Sequence, residues 1–402
     1  MNRVVITGAG TINALGATVP ETLQAMREGR LGIGPLHMRD LDRLSVKIGA
    51  QIKDFDPEIY FDRQKLALYD RVTQLTLMAS REAMGQSGLE ITGELSESTG
   101  VVLGTAAGGM NTWDDNFRSV YEDGKNRVHP LVVPKLMNNA AASHLSMAYN
   151  IKGPSLTVST ACASSNHAIG LAFQMVRSGM AQVMLAGGAD AMLTFGGIKA
   201  WEGLRVMSKT ACRPFSANRS GMVQGEGAGI FVLETYEGAK ARGAEILAEL
   251  VGFAMTSDAG DIVMPNQQGA VRAMRGALRD ACLDPQDIGY INAHGTGTAA
   301  NDKTECAAVQ EAFGSHAQEV MMSSTKSMHG HLIGGTGAVE LLVCLMALRD
   351  GVIAPTIGYE HPDPNCALDV VPNVARQATV TATLSNAFAF GGMNAVLALR
   401  AV

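Results

Sequence analysis

Val158-Ser-Thr-Ala-Cys-Ala-Ser-Ser-Asn-His-Ala-Ile-Gly170 leads into a helical pattern that stops at Gly179. Ser159 and Thr160 are residue types favoured at helix N-caps, so the pattern predicts a helix over about 162–177 with Cys162 in its first turn. The unpaired N–H groups and positive dipole end of such a helix favour a thiolate. A thiolate attacks carbonyl carbon and forms a thioester readily. The small residues on both sides of Cys162 leave room for a substrate. An arbitrary free cysteine is nevertheless more often a small buried apolar residue than a nucleophile. Cys212, Cys282, Cys306, Cys344 and Cys366 are read that way.

Working outward, short β-branched runs alternate with longer helical patterns. Strands are predicted over 4–7, 99–103, 183–186 and 229–233, and helices over 22–28 and 71–86. Glycines follow three of these strands, at Gly8–Gly10, Gly104–Gly109 and Gly187–Gly188. After about residue 245 a similar order restarts. Strands are predicted at 248–256, 288–292, 320–323 and 380–385, and helices at 269–281 and 337–349. This is α/β organisation, and it predicts two similar halves, residues 1–245 and 246–402. No Pro- or Ser-rich linker separates them, so they are expected to pack tightly. Glycine-rich strand ends are where α/β sheets usually place ligands.

Composition fits a compact enzyme, with 47% apolar and 17% charged residues. A net charge of −6 without a basic block argues against nucleic acid. Scattered cysteines with no CxxC pair argue against a structural zinc site or a disulfide framework. The opening MNRVVITGAG reads as a strand and turn rather than a signal peptide. No apolar run reaches the roughly 18 residues of a membrane span. A cytoplasmic location is the expectation.

Three further loops follow strands. Asn292-Ala-His-Gly-Thr-Gly-Thr298 places His294 among small turn-forming residues. Thr325-Lys-Ser-Met-His-Gly-His-Leu-Ile-Gly-Gly335 holds His329 and His331. An HxH pair is also a metal-ligand pattern, and a metal hydrolase is the sharp alternative. A zinc site needs a third ligand, and no HExxH or carboxylate cluster supplies one. Phe388-Ala-Phe-Gly-Gly-Met-Asn394 is a loop whose backbone N–H groups could stabilise an oxyanion.

These segments, with MLAGGAD, CRPFSANRSGMVQGEGAG and GAVE, resemble the β-ketoacyl-acyl-carrier-protein synthases along nearly the whole chain. Within that family the chain looks closer to nodulation-type and long-chain relatives than to housekeeping elongation enzymes. The resemblance implies a thiolase-like fold, with duplicated βαβαβαββ halves in five αβαβα layers, usually as a homodimer. It implies decarboxylative condensation of a Cys-bound acyl group with malonyl carrier protein. It matches Cys162 to the nucleophile, His294 and His331 to the catalytic histidines, and Lys326 to the lysine that orients them. His329 then fills a variable position. Glu340 matches a structural acid. Phe390 matches the gating residue whose N–H joins that of Cys162 in an oxyanion hole. Thr296 and Thr298 match pantetheine contacts, and Ala107 and Trp201 match acyl-pocket positions.

No metal or resident cofactor is implied; the 4′-phosphopantetheine arrives on the carrier protein. The carrier is typically acidic, so a basic patch is expected at the tunnel mouth, with Arg63, Lys65, Arg71, Lys125, Arg127 and Arg205 as its candidates. Ala107 replaces a larger residue common in the family and predicts room for a long or unusual acyl chain. Met393 and Gly297 replace a usual Thr and Ser. A thiolase-like acyl-CoA enzyme and a chain-length partner subunit are the competing functions. The first needs a second catalytic cysteine and the second lacks the nucleophile.

Overall fold

The computed structural model describes residues 1–402. Ten strands form one continuous sheet. They are β1 Val4–Asn13, β2 Thr99–Gly104, β3 Ser155–Val158, β4 Val183–Asp190, β5 Gly227–Thr235, β6 Ala248–Ser257, β7 Ile288–Asn292, β8 Met321–Ser323, β9 Ala382–Ala389 and β10 Met393–Arg400. The order is β3-β2-β4-β5-β1-β6-β10-β9-β7-β8. Read from each edge inward, both halves have the same order. In each, the first two pairings are parallel and the next two antiparallel. The halves meet at a short antiparallel seam, Val4–Ile6 against Ala248–Leu250.

Helices cover both faces. Named in chain order, α1 is Arg71–Ser87, α2 Ala140–Ala148, α3 Ser164–Ser178, α4 Gln267–Ala281, α5 Ala299–Phe313 and α6 Thr336–Asp350. The central pair, α3 and α6, touch each other, and each packs on strands of both halves. Helices α1 and α2 lie outside the first half, and α4 and α5 outside the second. The layers therefore run α-β-α-β-α.

Period-2 alternation along the strands builds this stack. On β5, Ala228, Ile230 and Val232 join the core under α1, whereas Phe231 and Leu233 face the central helices. On β10, Val396 and Ala398 face α4 while Leu397 and Leu399 turn inward. α6 is buried at every position from Thr336 to Ala347, as expected of a helix enclosed between the two halves of the sheet.

Four expectations need correction. Gly187 and Gly188 do not follow a strand but lie inside β4, which runs to Asp190, and Cys282, read as buried, is exposed where α4 ends. The turn predicted at Gly8–Gly10 is strand, because β1 continues to Asn13. Glycine serves close packing there: a Cβ on Gly10 would lie 2.0 Å from the Ala79 carbonyl of α1. β9 likewise runs to Ala389, so Phe388 belongs to a strand rather than to the following loop.

Candidate active site

Strand ends from both halves converge on one pocket. Cys162, Trp201, His294, Thr296, Thr298, His331 and Phe390 line it. The Cys162 sulfur and ring nitrogens of His294 and His331 all lie within 4.8 Å of one another, and all three residues are buried. The two imidazoles meet edge to face with centroids 5.6 Å apart.

Cys162 sits in a single 3-10 turn, Ala161–Ala163, directly before α3. The predicted caps are not caps. Ser159 donates to the Thr105 carbonyl at 2.6 Å, and Thr160 Oγ1 meets His167 Nδ1 at 2.9 Å. Ala161 instead takes φ +48°, turning the chain sharply into the helix. Burial opposes the thiolate that a helix start favours. Burial pushes the thiol up to about 12, against opposing pulls from Lys326 and the Phe390 N–H.

His331 Nδ1 accepts from the Ile333 N–H at 3.1 Å and contacts Thr336 Oγ1 at 2.8 Å. The backbone donor assigns the ring's proton to Nε2. Nε2 is buried and has no protein partner, so it is a free N–H donor in the pocket. His294 is held through its backbone: its N–H and that of Gly295 donate to the two oxygens of Glu305 at 2.8 and 2.7 Å. Burial, then the charge of Lys326, holds both imidazoles well below their ordinary value. They are neutral donors at pH 7.

Lys326 Nζ donates to Glu340 Oε1 at 2.6 Å, with both residues fully buried. Burial raises the Glu340 carboxyl to about 7 despite this partner. His329 turns away, its Nε2 meeting Thr325 Oγ1 at 2.9 Å. The HxH pair therefore does not converge as metal ligands.

The Phe390 ring stacks on Trp201 at 5.8 Å. Its turn needs glycine at Gly391 and Gly392, with φ of +81° and +68°. The Asp258 N–H donates to the Gly392 carbonyl at 2.9 Å, and the Gly391 N–H to the Ile262 carbonyl at 2.8 Å. Thr296 and Thr298 hydroxyls lie 2.9 Å apart on the wall. Gly297 between them has φ +78°, which explains glycine there locally.

Two expectations, Ala107 and Arg71, do not match this geometry. Ala107 does not line the pocket; it lies in the turn after β2, its N–H 3.4 Å from Asp190 Oδ1. Arg71 is no free surface cation, because it forms a two-pronged pair with buried Glu226 at 2.6 and 2.7 Å. Lys65 and Lys125 are exposed but pair locally with Asp62 and Asp123, both at 3.3 Å. Arg63, Arg127 and Arg205 are exposed, and Arg205 adjoins the lining residue Val206.

Sequence reasoning missed Glu305, Asp258 and the apolar rim at Val263, Met264 and Pro265. Glu305 lies inside α5, eleven residues beyond His294, and a helical carboxylate carries no local mark. Met264-Pro265-Asn266 was legible as a turn signal.

A β-ketoacyl synthase N-terminal domain model matches residues 1–239, and its C-terminal domain model matches residues 247–360. Nodulation protein E of Rhizobium sp. is 48% identical, over 100% of this chain and 99% of that protein. The 3-oxoacyl-[acyl-carrier-protein] synthase 2 of Synechocystis sp. is 40% identical over 99% of this chain and 98% of the other. The solved ishigamide ketosynthase/chain length factor superposes with a TM-score of 0.95 at 34% identity, covering 100% and 99% of the two chains. The chain belongs to the β-ketoacyl synthase family, the condensing enzymes that extend acyl chains in fatty-acid- and polyketide-type synthesis.

Proposed function

We propose that Cys162 takes an acyl group from a carrier-protein thioester and condenses it with a decarboxylating malonyl carrier. The observation that carries this reading is the convergence of one thiol and two imidazoles within 4.8 Å, all buried at the wall of one pocket. In the loading step, the Cys162 sulfur bonds to the acyl carbon. The carbon–sulfur bond to the carrier breaks, and the thiol proton leaves on the carrier thiol.

Malonyl then loses CO2, and the electron pair moves into a carbanion whose enolate oxygen carries the charge. Neutral N–H donors on His294 and His331 stabilise that oxygen, a role commonly worth several kcal/mol. The carbanion attacks the Cys162 thioester, the carbon–sulfur bond to Cys162 breaks, and the products are 3-oxoacyl carrier and a thiolate that takes a proton from solvent to restore the thiol. The N–H groups of Cys162 and Phe390 hold the thioester oxygen. Lys326, fixed by Glu340, keeps the imidazoles neutral through its charge. Thr296 and Thr298 receive the pantetheine arm, and Trp201 backs Phe390 at the gate.

Arg63, Lys65, Lys125, Arg127 and Arg205 are the remaining basic candidates for carrier docking, and a cytoplasmic homodimer completes the reading. No helix is long and apolar enough to cross a membrane. A thiolase reading is disfavoured because no second cysteine lines the pocket. The test is Cys162→Ala, with malonyl-carrier decarboxylation assayed separately. Condensation should vanish while decarboxylation persists; retained condensation refutes the reading.

A further inference from the structure

The carboxylate of Asp190, at the end of β4, is fully buried. It accepts from the Thr105 hydroxyl at 2.7 Å, the Ala106 N–H at 3.0 Å and the Gly334 N–H at 2.7 Å. The Ala107 N–H lies at 3.4 Å. These donors belong to two turns from different halves of the chain. One follows β2 and carries Ala107. The other directly follows His331.

The second turn is strained. Ile333 is β-branched yet takes φ +50°, a conformation that persists only where surrounding contacts enforce it. That conformation accompanies the Ile333 N–H bond to His331 Nδ1. The next peptide is held at its N–H, at Gly334, which binds Asp190, while its carbonyl, at Ile333, lies 3.0 Å from the Thr336 hydroxyl, whose one proton it shares with the nearer His331 Nδ1. Ser165 of α3 also donates to the Gly334 carbonyl, linking the turn to the helix behind Cys162. The approach is close enough to require glycine. A Cβ on Gly334 would lie 2.6 Å from the Ala106 nitrogen and 2.7 Å from Asp190 Oδ2.

We propose that Asp190 is a positioning residue that holds the strained turn after His331 against the turn after β2, and so fixes where the His331 Nε2–H points. The inference rests on the assignment of His331 to enolate stabilisation. Asp190 touches no substrate and acts through Gly334, Ile333 and the imidazole. A carboxamide of equal size replaces it only in part: turned one way its NH2 faces the Ala106 and Gly334 N–H groups, and turned the other way it faces the Ala107 N–H while its neutral oxygen accepts more weakly than a carboxylate.

Asp190→Asn should therefore lower kcat for malonyl-carrier decarboxylation about tenfold or more, with KM within about twofold. The rate of Cys162 acylation should stay within about threefold. Thr105→Val removes a partner from the other turn alone, so decarboxylation should stay within about twofold of the parent. Gly334→Ala presses on the same contact from the opposite side. It should reproduce the split if the Asn variant fails to fold. A general structural role predicts instead that both half-reactions fall together with thermal stability, in Thr105→Val as well. That outcome, or unchanged decarboxylation in Asp190→Asn, overturns the proposal. Retained decarboxylation in His331→Ala is a separate result, which would sink the underlying role of His331.

Discussion

Replacing Lys326 by Met leaves the Glu340 carboxylate buried without its ammonium partner, which sits 2.6 Å away in the parent. Breaking one side of a buried ion pair costs about 3–5 kcal/mol. An unfolding entropy near 2.1 cal/mol/K per residue scales with the 402 residues here, so a loss of about 4 kcal/mol lowers Tm by about 5 °C. The loss should depend on pH. Glu340 titrates at about 7 in the folded chain, above its ordinary 4.5, and losing Lys326 raises it further. Above pH 4.5 the folded variant then binds more protons than the unfolded chain, so its stability falls as pH rises. The Tm deficit against the parent should widen between pH 6 and pH 9. Lys326→Met with Glu340→Gln removes both charges at nearly constant volume and should recover most of the loss. Scanning calorimetry of the two single variants and the double at three pH values checks this. A deficit that shrinks with pH, or a double variant whose loss equals the sum of the singles, refutes the reasoning.

Alkylation of Cys162 by iodoacetamide should accelerate about tenfold per pH unit from 7 to 10 without a plateau, because the thiol lies at about 12; a plateau below pH 9 contradicts this. His331→Ala should reduce malonyl decarboxylation about 100- to 1000-fold, the usual effect of losing one preorganised donor, as read by CO2 release. Lys65→Glu with Arg205→Glu should raise KM for acyl carrier at low salt more than for a pantetheine thioester; equal effects would misplace the docking patch. Ala107→Ile should leave the product chain-length profile unchanged, because the residue lies in the Asp190 turn and not on the pocket wall; a shortened profile would place it on the acyl path.

Much of the fold was legible because buried strands and helices carry their own periodicity. The 288–292 strand was read to the residue. Gly8–Gly10 was misread because glycine marks turns and close packing alike, and only the position of α1 distinguishes them. At the site, small residues around Cys162, His294 and His331 were visible as loops. Their supports were not. Asp190 acts on the Gly334 N–H from 144 positions away and Glu305 on the His294 N–H from eleven, and no residue identity announces either backbone contact. Arg71 looked like a surface cation because its partner Glu226 lies 155 positions away. The cysteine's ionisation was misjudged because a local helix start was weighed without the burial that outweighs it.

The shared strand order of the halves gives the site a hidden correspondence. Cys162 follows β3 and His331 follows β8, the matching strand of the other half. Thr105 follows β2 as His294 follows β7, and Asp190 ends β4 where Phe390 succeeds β9. The same arrangement of three junctions thus occurs twice with different residues in it. In the second half all three junctions line the pocket, through His294, His331 and Phe390. In the first half only Cys162 lines it, and Thr105 and Asp190 lie behind the wall.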